Sequence, residues 1–274
     1  MIMESKLPKT VLARELGVSR GSLYYRPKLP ERDWILKVQI EEVLRMHPAY
    51  GHKRLALHLK INKKRVRRVM KHFGIKPYRR RGKKWHKPKE QSDIYPNLLM
   101  AYHPEYENHI WVADFTHIAF QGRWVYLATV MDLFTRNIVG FSVLLNHSKA
   151  LVINALLSAV HHAPRPVIFH SDNGSEYDAE DFTVILNALG TQISRSAPGC
   201  PWENGYQESF YGKFKVDLGD PDRFDSLGEL VYEIYRTLYV YNHSRIHTAL
   251  KMSPFAFAEM HKLATMKQLE ESVQ

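Results

Sequence analysis

Apolar residues in the first part of the chain recur at helical spacing. In "TVLARELGVSRGSLYYR" (10–26), Leu12, Ala13 and Leu16 form a short stripe, and Gly17 supplies a turn. Ser19 can cap a second helix containing Leu23. In "INKKRVRRVMKHFGI" (61–75), Val66, Val69, Met70 and Phe73 fall at i, i+3, i+4 and i+7, with Asn62 as an N-cap and Gly74 as a terminator. The preceding "HPAYGHKRLALHL" (47–59) supplies a partner helix, with Leu55 and Leu59 four apart. "KPYRRRGKKWHKPKEQS" (76–92) has prolines and no period, so it is expected to be a linker.

From residue 108 the pattern changes to that of strands. "NHIWVADFTHIAF", "GRWVYLATVMDLFT" and "RNIVGFSVLL" are apolar, aromatic-rich runs with short polar breaks, which predicts an antiparallel meander. "SKALVINALLSAVHHA" (148–163) follows as a helix and "PVIFHS" as a fourth strand. "AEDFTVILNALG" (179–190) is a second helix ending at Gly190, and "TQISRS" (191–196) a fifth strand. The order β-β-β-α-β-α-β predicts an α/β domain, a mixed sheet with helices on its faces.

Charge divides the chain at nearly the same place. Residues 1–100 hold 26 Lys and Arg against 8 Asp and Glu; residues 101–274 hold 13 against 20. This asymmetry points to a polyanion-binding arm joined to an acidic body, and nucleic acid is the expected polyanion. The 61–75 helix carries Lys63, Lys64, Arg65, Arg67, Arg68 and Lys71 on its polar side with no acid among them, the pattern of phosphate contact. Arg79, Arg80 and Arg81 in the linker can track a DNA backbone, and Tyr78 or Trp85 can stack on bases. The single cysteine, Cys200, excludes an internal disulfide and a zinc site built on paired cysteines, so His47, His52 and His58 are expected at the surface or facing backbone. The sequence shows no secretory signal and no apolar run of membrane-spanning length, and the cytoplasm is the expected compartment.

Two acids interrupt the predicted strands: Asp114 inside the first, and Asp172 at the end of the fourth. If those strands are neighbours the carboxylates converge, and paired oxygen ligands on a rigid sheet suit Mg²⁺. Glu208 follows in "APGCPWENGYQESFYGKFK" (197–215), a Pro/Gly-rich loop that becomes a helix, with 35 residues between it and Asp172. Asn204 and Lys215 are placed four before and seven after it, on roughly the same helix face.

In the contexts "WVADFTHI", "HSDNGSEY" and "WENGYQESFYGKFK", these residues resemble the D-D-E triad of the integrase and transposase superfamily. "YNHSRIHTALKMSP" (241–254) is similar to the ending of insertion-sequence transposases, and "YGHKRLALHLKINKKRVRRVMKHFGI" (50–75) to the helical domain that precedes the core in the OrfB type. The family often has Asp-Asn where this chain has Glu203-Asn204, which makes Glu203 a rival third acid; the spacing favours Glu208.

The resemblance implies a ribonuclease-H-like fold behind an all-α helix-turn-helix DNA-binding region. The expected boundaries are 1–30 for the helix-turn-helix, 33–76 for a basic helical domain, 77–106 for the linker, 107–262 for the catalytic domain and 263–274 for a tail. It implies Asp114, Asp172 and Glu208 as catalytic residues and as ligands of two Mg²⁺ or Mn²⁺ ions, with Asp114 bridging. Lys215, and more weakly Arg245 and His247, are expected on DNA phosphates. The implied chemistry is cleavage at element ends followed by strand transfer. The implied partners are double-stranded DNA, further copies of the chain assembled on it, and a companion small helix-turn-helix protein. Two rival classes remain open: a regulator that only binds DNA, which needs no spaced carboxylates, and a metal-dependent nuclease that cuts without joining.

Overall fold

The structure, a computed structural model, describes residues 8–23, 29–78, 95–197 and 200–272. Its centre is a five-stranded sheet of β1 (Ile110–Phe120), β2 (Arg123–Asp132), β3 (Ile138–Leu144), β4 (Ile168–Ser171) and β5 (Gln192–Arg195), in the order β3-β2-β1-β4-β5. The first three strands form the expected antiparallel meander, and β4 and β5 add parallel to β1.

Alternation along the strands assigns each residue to a face. Ile110, Val112, Ile118 and Phe120 of β1 pack with Ile168 of β4 against α7 (Gly205–Leu218) and α8 (Leu227–His243). Trp111 and Ala113 pack with Phe169 and Ile193 against α5 (Lys149–His162) and α6 (Glu180–Ala188). The result is a three-layer sandwich with two apolar cores. At Gly140 on β3 the α5 backbone comes so close that a Cβ there would collide with the Ala155 carbonyl oxygen and the Ala159 amide nitrogen.

The N-terminal part is helical. α1 (Lys9–Glu15) ends at Gly17, whose φ is +62°, and buries only Ala13. Of the expected second helix, Arg20–Leu23 is a 3₁₀ turn in which the Ser22 amide donates to Ser19 Oγ, and residues 24–28 lie outside the described set. α2 (Leu29–Met46), α3 (His52–His58) and α4 (Lys63–His72) share their own core of Leu36, Ile40, Val43, Leu55, Val66 and Val69. Asn62 caps α4 by accepting from the Lys64 amide at 2.8 Å.

This helical unit is joined to the sheet domain through Tyr50, which is fully buried and accepts a hydrogen bond from the Ile246 amide at 2.7 Å. His47 departs from its expected surface position. It is buried and stacked on Tyr50 at 4.5 Å, and burial, aided by the charge of Arg245, holds its pKa down to about 4. Its burial rests on ring contacts with Tyr50 and His58, which a one-dimensional pattern does not show. α9 (Pro254–Ser272) closes the described chain against α8. No helix among the described residues is long and apolar enough to cross a membrane.

Substituting Gly140→Ala tests the close approach of α5. The collision involves backbone rather than flexible side chains, so urea denaturation is expected to show a loss of about 3 kcal/mol, at the upper end of overpacking costs. An unchanged midpoint would show that α5 can move away freely.

Candidate active site

β1 and β4 pair as far as Val112 opposite His170, and two residues further along each segment Asp172 comes near enough for its charge to act on Asp114. Asp114 stands in the middle of β1, beside the carboxyl end of β4, where Asp172 follows the last strand residue, Ser171. Asp114 shares the parity of Val112, which points it to the side covered by α7.

Both carboxylates are costly to ionise. Burial, then the charge of Asp172, then that of Glu208, together push Asp114 up to about 8, against a hydrogen bond from the Phe115 amide and the opposing charge of Lys215. Asp172 is raised as well, mainly by burial, while the Gly174 amide 3.2 Å away favours its charged form. Glu176 adds a further negative charge beside Asp172 and pairs with His147 at 3.0 Å. This is the electrostatic condition that a hard cation relieves, and the donor set is all oxygen. The two strand carboxylates fit such an ion. Glu208, exposed on the first turn of α7, is felt electrostatically at Asp114. Among the described residues, however, no three acidic, His or Cys side chains form a closed cation site.

α7 is fixed to the sheet by a row of side-chain donors. Asn204, just before the helix, donates to the Ala113 carbonyl at 3.1 Å, and Gln207 to that of Val112 at 2.7 Å. Tyr211 donates to the Asp114 carbonyl at 2.7 Å, and Lys215 Nζ to that of His117 at 2.8 Å. The positions 204, 207, 211 and 215 form one helical row facing β1, next to Glu208. Burial keeps Tyr211 a neutral phenol, which its donor role requires.

Behind Asp172, buried Arg195 holds the loop after β4. It donates to Ser171 Oγ at 2.7 Å and to the Tyr177 carbonyl at 2.6 Å, and its charge opposes the rise at Asp172. His170 is locked between Ser194 Oγ at 2.8 Å and Ser196 Oγ at 2.9 Å, and burial first, then Arg195, lowers its pKa to about 4.

Gln207, Tyr211, Arg195 and His170 were not among the expected site residues, and nothing in the local pattern singles out the last two. The spacing of the polar residues 204, 207, 211 and 215 was the available signal for the first two. Glu203, the rival acid, is tied up elsewhere: it accepts from Asn97 Nδ2 and from the Ala197 amide, both at 2.7 Å.

The candidate DNA contacts fall into three groups. Lys63, Lys64, Arg67, Arg68 and Lys71 line one shallow cavity on α4, although Arg68 also pairs with Asp33 at 2.6 Å and Arg65 reaches the Arg32 carbonyl at 3.4 Å. Arg79, Arg80, Arg81 and Trp85 lie outside the described residues. Arg245 departs from expectation. Its side chain is 2 % exposed and its Nε donates to Asp217 at 2.5 Å, so it ties the domain junction together instead of facing DNA.

The sheet order and flanking helices define a ribonuclease-H-like domain of the integrase-core class. An integrase core domain family matches residues 104–201, and a second family of that description matches residues 189–254. The fold is similar to a chain of the simian T-cell lymphotropic virus intasome in complex with PP2A regulatory subunit B56 gamma. The TM-score is 0.50 at 19 % identity, over 76 % of this chain and 70 % of that one. Over 271 residues the chain is 31 % identical to the uncharacterized 31 kDa protein of insertion element IS600 from Shigella sonnei, covering 92 % of this chain and 100 % of that protein. It is likewise 31 % identical to the transposase for insertion sequence element IS904 from Lactococcus lactis, over 79 % of this chain and 90 % of that relative. The chain belongs to the insertion-sequence transposase family, which agrees with its resemblance to the OrfB type.

The raised pKa of Asp114 gives a testable pH dependence. Between the ordinary carboxylate range and about 8 the folded state holds a proton that the unfolded chain has lost, so stability from this site falls as pH rises through that interval. Asp114→Asn removes the penalty. In metal-free buffer its melting temperature is expected to exceed that of the wild type by ~3–6 °C near pH 8, and by much less near pH 5. A difference that stays constant with pH would place the proton elsewhere.

Proposed function

We propose that this transposase is metal-dependent, cutting DNA at the ends of its element and joining the freed strand to a target, with Asp114, Asp172 and Glu208 as ligands of Mg²⁺ or Mn²⁺. The burial of Asp114 beside Asp172, just beyond the Val112–His170 pair and within electrostatic reach of Glu208, is the observation that supports this most. Two bound cations would supply the charge neutralisation that phosphoryl transfer needs. In the first step water bonds to phosphorus as the P–O3′ bond breaks, and the 3′-oxygen departs as a hydroxyl. In the second, that hydroxyl loses its proton, bonds to a target phosphorus and displaces the target's own 3′-oxygen.

The chain's own contribution is positioning. Gln207 and Tyr211 hold the helix of Glu208 over the strand of Asp114, and Lys215 keeps a positive charge within range of Asp114. Arg195 fixes the turn that follows Asp172. The basic face of α4 supplies sequence-independent phosphate contact, which separates binding from chemistry.

Assaying a duplex that carries an element end for both cleavage and strand joining distinguishes transposase, nuclease and regulator. Asp114→Asn, Asp172→Asn and Glu208→Gln are each expected to lower both steps by ~10³-fold or more while retaining DNA binding. Glu203→Gln is expected to keep most activity, because its partners are Asn97 and a backbone amide. Activity in the Glu208 variant together with inactivity in the Glu203 variant would overturn the choice of third ligand.

Charge reversal at Lys63, Arg67 and Lys71 tests the arm separately. Removing one phosphate-binding cation is expected to reduce the slope of log affinity against log salt by about 0.9. Binding by the triple variant with an unchanged slope would remove α4 from the interface.

A further inference from the structure

A cleft of about 720 Å³ lies between the helical unit and the sheet domain, on the side of α7 that carries Lys213. Arg54 enters it from α3, Arg136 from the turn between β2 and β3, and His247 from the segment after α8. Arg54 Nε, Arg136 Nε and Nη1, and His247 Nδ1 are all buried with no hydrogen-bond partner among the described residues. Native proteins rarely leave so many polar groups unmet at one place, and such groups call for a ligand. Arg136 is also set in position: its guanidinium lies 4.2 Å over the ring of half-exposed Tyr206.

The charge around these groups specifies that ligand. Among the described residues no acid lines the cleft. Asp217, the carboxylate that reaches Lys213 electrostatically, is itself paired with Arg245. Burial, then the charges of Arg54 and Arg245, hold Lys213 down to about 8. Asp217 opposes this at Lys213 and at Arg54 but does not cancel it, and an anion in the cleft would relieve the remainder.

The cleft is also continuous with the arm. A second cavity of about 420 Å³ shares Arg54, Lys213 and Thr248 with it and extends to His52 and Lys53. Those two residues in turn border the cavity on the basic face of α4. The opposite end reaches Tyr206 and Ser209, on the side of α7 turned away from β1. A small anion would need only one of these cavities, whereas a backbone with regularly spaced phosphates fits the whole run.

We propose that this cleft is a DNA phosphate-backbone site, in which Arg54, Arg136 and Lys213 bind the strand as it passes from α4 along the outer side of α7. The proposal rests on the reading of α4 as a DNA-binding face and adds a contact surface at the domain junction.

Lysine acetylation of the full-length wild-type protein in EDTA, with and without a random-sequence duplex, tests it without any substitution. Labelling of Lys213 is expected to fall several-fold on adding duplex, together with that of Lys63 and Lys64. Protection of Lys63 and Lys64 but not Lys213 overturns the cleft and spares the arm; protection of none of the three overturns both. Protection of Lys213 by inorganic phosphate but not by duplex makes the cleft a small-anion site and overturns the DNA assignment.

The variant pair Arg136→Asn and Lys213→Ala gives a second readout. Asparagine is chosen because Arg136 has φ of +66°, a region that asparagine tolerates. The double variant is expected to weaken duplex binding ~10-fold near physiological salt and to lower the salt slope by roughly 2. Wild-type affinity and slope in the double variant would overturn the proposal. Cleavage by Asp114→Asn would count against the triad alone and leave these binding results standing.

Discussion

Gln207 and Tyr211 reach from α7 into the backbone of β1, and the active-site geometry depends on those bonds. Gln207 Nε2 meets the carbonyls of Val112 and Thr129, while the Tyr211 hydroxyl meets that of Asp114 and the Oγ1 of Thr129. Gln207 and Thr129 are fully buried, so an unmade bond would leave a polar group stranded at a cost of about 1–3 kcal/mol. That penalty fixes both the rotation of α7 about its axis and its position along β1. Glu208, one residue after Gln207, is thereby placed on the side of Asp114. Phe210, Phe214 and Leu218 supply the apolar attraction, but such packing lacks the directionality that sets the register.

The same region stores electrostatic frustration. Asp114 and Asp172 lie close together, one within β1 and the other just past the end of β4, and each resists ionisation because it is buried among other acids. The surrounding structure holds them there. β1 is anchored along its length by β2, and the β4 end is secured by Arg195 and the His170–serine bonds. Functional sites often keep such unfavourable groupings, which a bound ion or substrate relieves.

Positive charge is arranged with similar economy at the domain junction. Arg245 Nε is paired with Asp217 inside it, and the Tyr50 hydroxyl joins the helical unit to the segment after α8 by accepting from the Ile246 amide. Arg54, Arg136 and Lys213 remain on the cleft side, in line with the basic face of α4. A buried ion pair and a cationic cleft thus lie side by side.

The fold class was legible in the sequence because periodicity is a local property. The change from helical to alternating spacing near residue 108, the capping at Asn62 and the turn at Gly74 each need only neighbouring residues. Asp114 and Asp172 stood out for the same reason, as acids interrupting apolar runs. Their convergence was not local. It required β4 to dock beside β1 with a particular offset, and one residue of slip would have sent one carboxylate to the opposite face. The burial of His47 and Arg245, the capture of Glu203 by Asn97, and the orphaned donors of Arg136 all depend on contacts between residues far apart in the chain. Composition and spacing determined which residues could carry the chemistry; packing across the sheet and the domain junction decided which of them face a ligand and which hold the structure together.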